Sequence, residues 1–220
     1  MATPLRQTRE RELVAATRAL FDERGMQEAP IEEIARSVGI ARGLVYRSFS
    51  SKDELFVLTV THYLGELAAL LETAVASADE PAAQLERVAE AYAGFCQCYP
   101  AFLDSSLALM HRPARELNEI VSESVWLRLG QGMASCIGPL ADVLRAGVDS
   151  GAFEIEDPDY MANVLWTQTL GAMHLARIRV GMRRVAPGVP DLFTVTPEQV
   201  VRSCVASAMA TVGASGATLD

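Results

Sequence analysis

The chain has a single lysine, Lys52, only three histidines and four cysteines, and 6% of its 220 residues are aromatic. Each scarcity excludes something. The histidines (His62, His111, His174) lack the paired spacing of a metal centre, and there is no phosphate-binding glycine loop or nucleophile elbow. No catalytic site, metal or cofactor is therefore expected. Cys96, Cys98, Cys136 and Cys204 form no C-x-x-C motif, and in a chain this long they make neither a disulfide framework nor a zinc site. They read as reduced, mostly buried thiols of a cytoplasmic protein. No run of 18 uncharged apolar residues occurs, so no transmembrane helix is expected. Met1 to Glu12 is polar and charged, without the apolar core of a secretory signal.

What is present points to a packed helical protein. Half of the residues are apolar and 21% are charged, which excludes a mostly disordered chain. Ala, Leu, Glu and Arg are abundant, and the alternation expected of strands is scarce, so the chain reads as all-α. Prolines 30, 81, 100, 113, 158 and 197 each precede a helical pattern, the first-turn position where no amide donor is needed. Asp157 and Thr196 are suited to cap the helices that follow them; Thr196 with Gln199 and Ser51 with Glu54 match capping boxes. The pattern predicts about nine helices, near residues 5–24, 30–37, 41–48, 52–77, 81–98, 100–111, 113–149, 157–184 and 196–213. Pro139 predicts a bend in the seventh. The segment from Val185 to Val195 reads as a loop, and the residues after Gly213 as a frayed tail.

The formal charge of −9 conceals an asymmetry. Residues 1–55 hold nine basic and nine acidic groups, whereas residues 56–220 hold ten basic and nineteen acidic ones. Within the neutral part, residues 36–52 carry Arg36, Arg42, Arg47 and Lys52 and no acid. Screening confines such a field to about 8 Å at physiological salt, so a local basic patch outweighs a distant acidic body for a phosphate backbone.

That patch lies in a helix-turn-helix pattern. Leu13, Thr17, Leu20 and Phe21 share one helical face, and Gly25 ends the helix. Ile31, Ile34, Ala35 and Val38 form the apolar stripe of a short second helix, followed by Gly39 at a sharp turn. In the next helix Ile40, Val45 and Phe49 point inward, which leaves Arg42, Gly43, Leu44, Tyr46, Arg47 and Ser48 outward or on the flanks. A helix fits the major groove. Gly43 permits close approach, Arg42 and Arg47 reach phosphates or guanine edges, Tyr46 offers a phenol donor, and Leu44 can touch thymine methyls. Lys52, in the first turn of the following helix, can hold a phosphate together with the helix N-terminal amides.

The run from Arg11-Glu12-Leu13 through Leu20-Phe21-Asp22-Glu23-Arg24-Gly25, Ile31-Glu32-Glu33-Ile34-Ala35 and Val38-Gly39-Ile40-Ala41-Arg42-Gly43-Leu44-Val45-Tyr46-Arg47-Ser48-Phe49 to Ser51-Lys52-Asp53-Glu54-Leu55 resembles the TetR family of bacterial one-component regulators. The likeness covers roughly residues 6–58. It implies a DNA-binding three-helix domain, here residues 1–52, a helical ligand-binding and dimerisation domain, residues 53–220, and a homodimer. The family's DNA-contacting positions fall on Arg42, Gly43, Leu44, Tyr46, Arg47 and Lys52. The chain departs from the family pattern at Ala29 and Pro30, where a Ser or Thr usually precedes the second helix, at Ala41, usually Ser, and at Leu44, usually Thr.

Beyond residue 53 the chain is read by pattern. The segment Tyr160 to Ile178 is apolar almost all round, and the helix at 196–213 is broadly apolar as well. The family resemblance implies that these two helices form a four-helix bundle with their copies across a two-fold axis. A ligand cavity needs polar atoms set in an apolar wall. Trp126, Trp166, Gln168 and His174 satisfy that best, with Phe95 and Met110, from a wider set that includes Tyr92. Few basic groups occur there, which favours a small apolar effector.

Taken together, the sequence predicts a cytoplasmic regulator with no membrane association, a repressor released from a palindromic double-stranded DNA operator by a small-molecule effector. The alternative reading is a small-molecule-binding or protein-interaction scaffold that has lost DNA recognition.

Overall fold

The computed structural model describes residues 4–25 and 30–213; Ala29 and the tail beyond Gly213 lie outside them. Ten helices and one two-stranded sheet occur among the described residues. The contacts divide the chain into two compact units, residues 1–66 with 99–134 and residues 67–98 with 135–220.

The first unit begins with α1 (Pro4–Arg24), α2 (Ile31–Ser37) and α3 (Arg42–Ser48). α1 ends where Gly25 turns left-handed, φ 87°, its amide closing on the Phe21 carbonyl at 2.8 Å. Leu13, Leu20, Phe21, Ile34, Val45 and Phe49 are buried together with Leu55 and Tyr63 from the first half of α4 (Lys52–Ala76). The Thr17 hydroxyl, in that apolar face, satisfies itself on the Leu13 carbonyl at 2.7 Å. α6 (Pro100–Met110), α7 (Ala114–Ile120) and the start of α8 (Glu123–Asp149) complete the unit.

By length and composition α4 is apolar enough to cross a membrane, but 61% of its apolar window is buried inside the protein, as suits a core helix.

The second unit is built on α5 (Pro81–Cys98), α9 (Pro158–Ile178) and α10 (Pro197–Thr211), which pack against one another pairwise. Val88, Tyr92, Phe95 and Cys96 of α5 are buried, as are Leu165, Trp166 and Leu170 of α9 and Val200 and Cys204 of α10. Asp157 caps α9 by accepting from the Tyr160 amide, and Thr196 with Gln199 completes a capping box at the head of α10. Near the end of α8 a Cβ on Gly147 would stand 1.9 Å from the Phe153 ring, so only glycine lets that ring pack.

Three expectations are corrected. The seventh helical pattern divides at Val121, which is extended, into α7 and α8, and α8 continues as one helical segment from Glu123 through Pro139 to Asp149. Pro139 removes one backbone hydrogen bond, a cost of order 3 kcal/mol. The buried flank of Cys136, Leu140, Ala141 and Leu144 holds the helix together against it. The predicted helix to residue 184 stops at Ile178, where Arg179 adopts φ 57°. The predicted loop is instead an antiparallel hairpin, β1 (Val180–Ala186) and β2 (Val189–Thr194), in which Met182 pairs with Leu192 and Gly181 with Phe193. The Pro187-Gly188 turn, with Gly188 at φ 76°, is flanked by β-branched residues; that flank is the strand signal the Pro/Gly composition masked.

Candidate nucleic-acid interface

Two short helices and a glycine turn set the geometry. At the end of α2 the Ile40 amide reaches the Ala35 carbonyl at 3.0 Å and the Gly39 amide reaches Arg36 at 3.1 Å, a paired closure that requires Gly39 at φ 72°. Ile34 and Ala35 of α2 and Val45 of α3 anchor the pair, with Phe49 behind them. The opposite face of α3 presents Arg42, Gly43, Tyr46 and Arg47 to solvent, with Lys52 exposed at the head of α4. Gly43 has open space around it. Leu44 is half-buried on the flank of that face. Ser48, expected outward or on a flank, is buried, its hydroxyl turned back to the Leu44 carbonyl at 3.2 Å.

Two carboxylates shape this surface: Glu32, to which the sequence assigned no role, and Glu54, expected only as the capping-box partner of Ser51. Glu32 of α2 pairs with Arg42 at 2.6 Å, and the Arg42 guanidinium lies 5.6 Å from the centre of the Tyr46 ring. The Tyr46 hydrogen bond and the Glu32 charge hold the Arg42 guanidinium above its ordinary pKa. Arg47 and Lys52 make no ion pair among the described residues, so their charge is free for a phosphate. The (i, i+3) spacing of Glu32 and Ala35 on a seven-residue helix gave no hint of the Arg42 pair, which crosses the turn.

Glu54 is the second carboxylate. It is 6% exposed and accepts from the Ser50 amide at 2.5 Å, from the Ser50 hydroxyl at 2.8 Å and from the Ser122 hydroxyl. The Ser51 hydroxyl caps α4 by accepting from the Glu54 amide at 3.0 Å. Half of the expected capping box is therefore formed, while the Glu54 carboxylate reaches past Ser51 to Ser50 and across to the head of α8. Burial pushes the Glu54 carboxyl up, but the Ser122 and Ser50 hydrogen bonds outweigh it and hold it below the usual range. Lys52 thus stands on a helix start fixed by three serines.

Beside this head lies a cavity of about 360 Å³, walled by Phe21, Ile31, Ile34, Leu55 and Phe56, with Lys52 and Arg112 also in its lining. None of the six residues proposed for ligand binding lines it. Phe95 and Trp166 share the buried core of α5, α9 and α10, where Trp166 stacks on Tyr92 with ring centres 4.3 Å apart. Gln168 is exposed and donates to the Ser207 hydroxyl; His174 is exposed on α9. Trp126 is half-buried near the start of α8, and Met110 is exposed at the end of α6. The Tyr92 hydroxyl is buried and has no hydrogen-bond partner among the described residues. Burial, with Cys96, Cys136 and Cys204 nearby, pushes its pKa well up.

Three of the cysteines are buried and all four are free. Burial raises the Cys136 thiol to about 12 and Cys204 to about 11, which leaves both unreactive at neutral pH. No group of three side chains able to hold a metal occurs among the described residues.

The family model described as bacterial regulatory proteins, tetR family, matches residues 13–58. The HTH-type transcriptional regulator BetI of Yersinia pestis (strain Pestoides F) is 33% identical over 112 residues, 48% of this chain and 56% of that protein. The chain therefore spans just over half the length of this relative. Among solved structures, a bacterial regulatory protein of the tetR family from Rhodococcus RHA1 superposes with a TM-score of 0.67 at 16% identity, over 94% of this chain and 98% of that one. RolR in complex with resorcinol superposes with a TM-score of 0.61 at 18% identity, over 94% and 88%.

Proposed function

We propose that the chain is a member of the tetR family of bacterial regulatory proteins, whose model matches residues 13–58, and that it is a DNA-binding transcriptional regulator rather than an enzyme, a cytoplasmic repressor released from its operator by a small molecule. The observation that carries this reading is the exposed face of α3, where Gly43 clears the approach, Tyr46 and Arg47 are exposed beside the Glu32-paired Arg42, and Lys52 makes no ion pair among the described residues at the capped start of α4. Phosphate contacts from Lys52 and the α4 amides set the register, and α3 reads base edges in the major groove, Leu44 contributing its flank. Two copies place two such helices one helical turn apart on a near-palindromic site. The broad apolar faces of α9 and α10 support pairing through those helices.

The effector belongs in the core of the second unit, around Tyr92, Phe95 and Trp166. A buried hydroxyl without a partner costs about 1–3 kcal/mol, which an acceptor atom on a ligand would recover. The structural neighbour solved with resorcinol holds a small molecule on a similar fold. An effector that favours a wider separation of the two reading heads weakens DNA binding by its differential affinity for the two states.

Selection of random duplexes on the purified protein at about 0.15 M salt, where non-specific phosphate binding is weak, tests the reading. A palindrome with half-sites about one turn apart is the expected result. Recovery of no sequence, with DNA affinity unchanged in Arg47→Ala and Lys52→Ala, would leave the scaffold reading.

A further inference from the structure

The β1–β2 hairpin has no place in the function just proposed, and its surface is unusual. Of the fourteen large hydrophobic side chains exposed among the described residues, eight fall between Leu175 and Phe193. A lone two-stranded hairpin is marginal in water, so a hairpin with apolar faces needs cover. One face supplies its own: the Phe193 ring lies on Gly181, the Arg183 guanidinium stands 5.9 Å from the ring centre, and Arg183 bonds Asp191 at 2.8 Å. The other face is bare. Met182, 72% exposed, pairs directly with Leu192, 63% exposed, and Val180 lies beside them.

Charge identifies the occupant. Arg179, Arg183 and Arg184 crowd residues 179–194 with Asp191 as the sole acid, whereas residues 149–159 hold Asp149, Glu154, Glu156, Asp157 and Asp159 and no base, with Asp159 already bonded to Arg145 of α8 at 3.0 Å. These groups flank opposite ends of α9. A helix of 21 residues is roughly 30 Å long at 1.5 Å per residue, far beyond the screening length, so the clusters do not neutralise each other within one chain. A second copy of α9 running antiparallel resolves this. Gly171, exposed and with open space where a Cβ would be, permits close crossing of the two helices. From that crossing the start of the hairpin and the partner's Tyr160 lie level, each roughly 15 Å away along the axes. Tyr160 is itself 67% exposed.

We propose that the hairpin is an arm that docks on a second copy of this chain, its Met182–Leu192 face against the partner's Tyr160 and its arginines against the partner's acidic α8–α9 connection. The inference rests on the dimer reading above and adds to it a contact that the paired helices alone do not make.

The test uses full-length chains carrying Cys98→Ser, which removes the exposed thiol. Chains with Met182→Cys are mixed with chains bearing Tyr160→Cys and oxidised. A disulfide-linked pair in the mixture, well above that in either chain alone, is the expected result. In parallel, Met182→Glu with Leu192→Glu should raise the dimer dissociation constant at least tenfold, with the helical circular dichroism unchanged. A dimer in sedimentation that gives no mixed cross-link and is indifferent to the glutamates would overturn the arm and leave the dimer standing. A monomer at all concentrations, with Gly171→Leu equally without effect, would overturn both.

Discussion

The Tyr63 hydroxyl donates to the Asp22 carboxylate at 2.6 Å and so pins α4 to the C-terminal end of α1. Burial, then the Asp22 hydrogen bond, pushes the phenol pKa far up. Arg18 completes the clasp: its guanidinium lies 4.4 Å from the centre of the Tyr63 ring and bonds Glu66 at 2.6 Å. A hydrogen bond to a charged group is worth about 1.5–3 kcal/mol. Tyr63→Phe should therefore lower the urea midpoint by the equivalent of roughly 2 kcal/mol. A shift under about 0.5 kcal/mol would show that the bond does not hold α1 to α4.

The Glu32–Arg42 pair restrains the reading head. Its carboxylate repels DNA phosphates and occupies one of the few cations on α3. Glu32→Gln should tighten operator binding several-fold and steepen the salt dependence by up to about one unit of slope, as a freed Arg42 displaces one more counterion. Arg47→Ala and Lys52→Ala should each flatten the slope by about 0.9. Titration of a fluorescent operator between 50 and 200 mM salt reads both. An unchanged slope in Glu32→Gln would mean that Arg42 stays off the phosphates.

The head was legible because its signals are local: Phe21, Gly25, Gly39, Tyr46, Phe49 and Lys52 keep fixed spacing, and the turn needs glycine wherever the chain goes left-handed. Ser48 was misplaced because a serine on a short helix has the same periodicity whether it faces water or bonds back to the carbonyl four residues earlier. The hairpin was missed for a different reason. Val180 to Thr194 lacks the polar and apolar alternation of a half-buried strand, since both of its faces carry apolar and charged groups together. Trp126, Met110 and His174 lie on α8, α6 and α9, and residue type alone could not say whether they share a wall, because which helix faces which is decided by packing far along the chain.

Glu54 makes the head sensitive to acid. Its folded-state carboxyl lies below the ordinary value near 4.3, so the stability it contributes is fully present above that value and is lost as pH falls through the lower folded one. Denaturant midpoints measured at pH 7, 5, 4 and 3 should fall most steeply below about pH 4.3, and Glu54→Gln should be less stable at pH 7 and show a shallower acid limb. Equal acid limbs in the two proteins would mean that Ser50 and Ser122 do not favour the charged form.

The orphaned Tyr92 hydroxyl separates a ligand site from plain core. Removing a hydroxyl that has no partner takes away a desolvation cost and leaves the ring stacked on Trp166, 4.3 Å between centres. Tyr92→Phe should therefore leave the free protein as stable as before or more stable by up to about 1 kcal/mol, the reverse of Tyr63→Phe, where the same atom is lost from a made bond. Its effect belongs to the ligand: in a reporter screen that yields an effector, the variant should need roughly tenfold more of it, the loss of one hydrogen bond, for equal release of the operator. Trp166 emission gives an independent reading, because a molecule entering beside Tyr92 must disturb that stack. Destabilisation of the free Tyr92→Phe protein by more than about 1 kcal/mol would show that the hydroxyl already has a partner, and the effector site would then have to be sought away from α5 and α9.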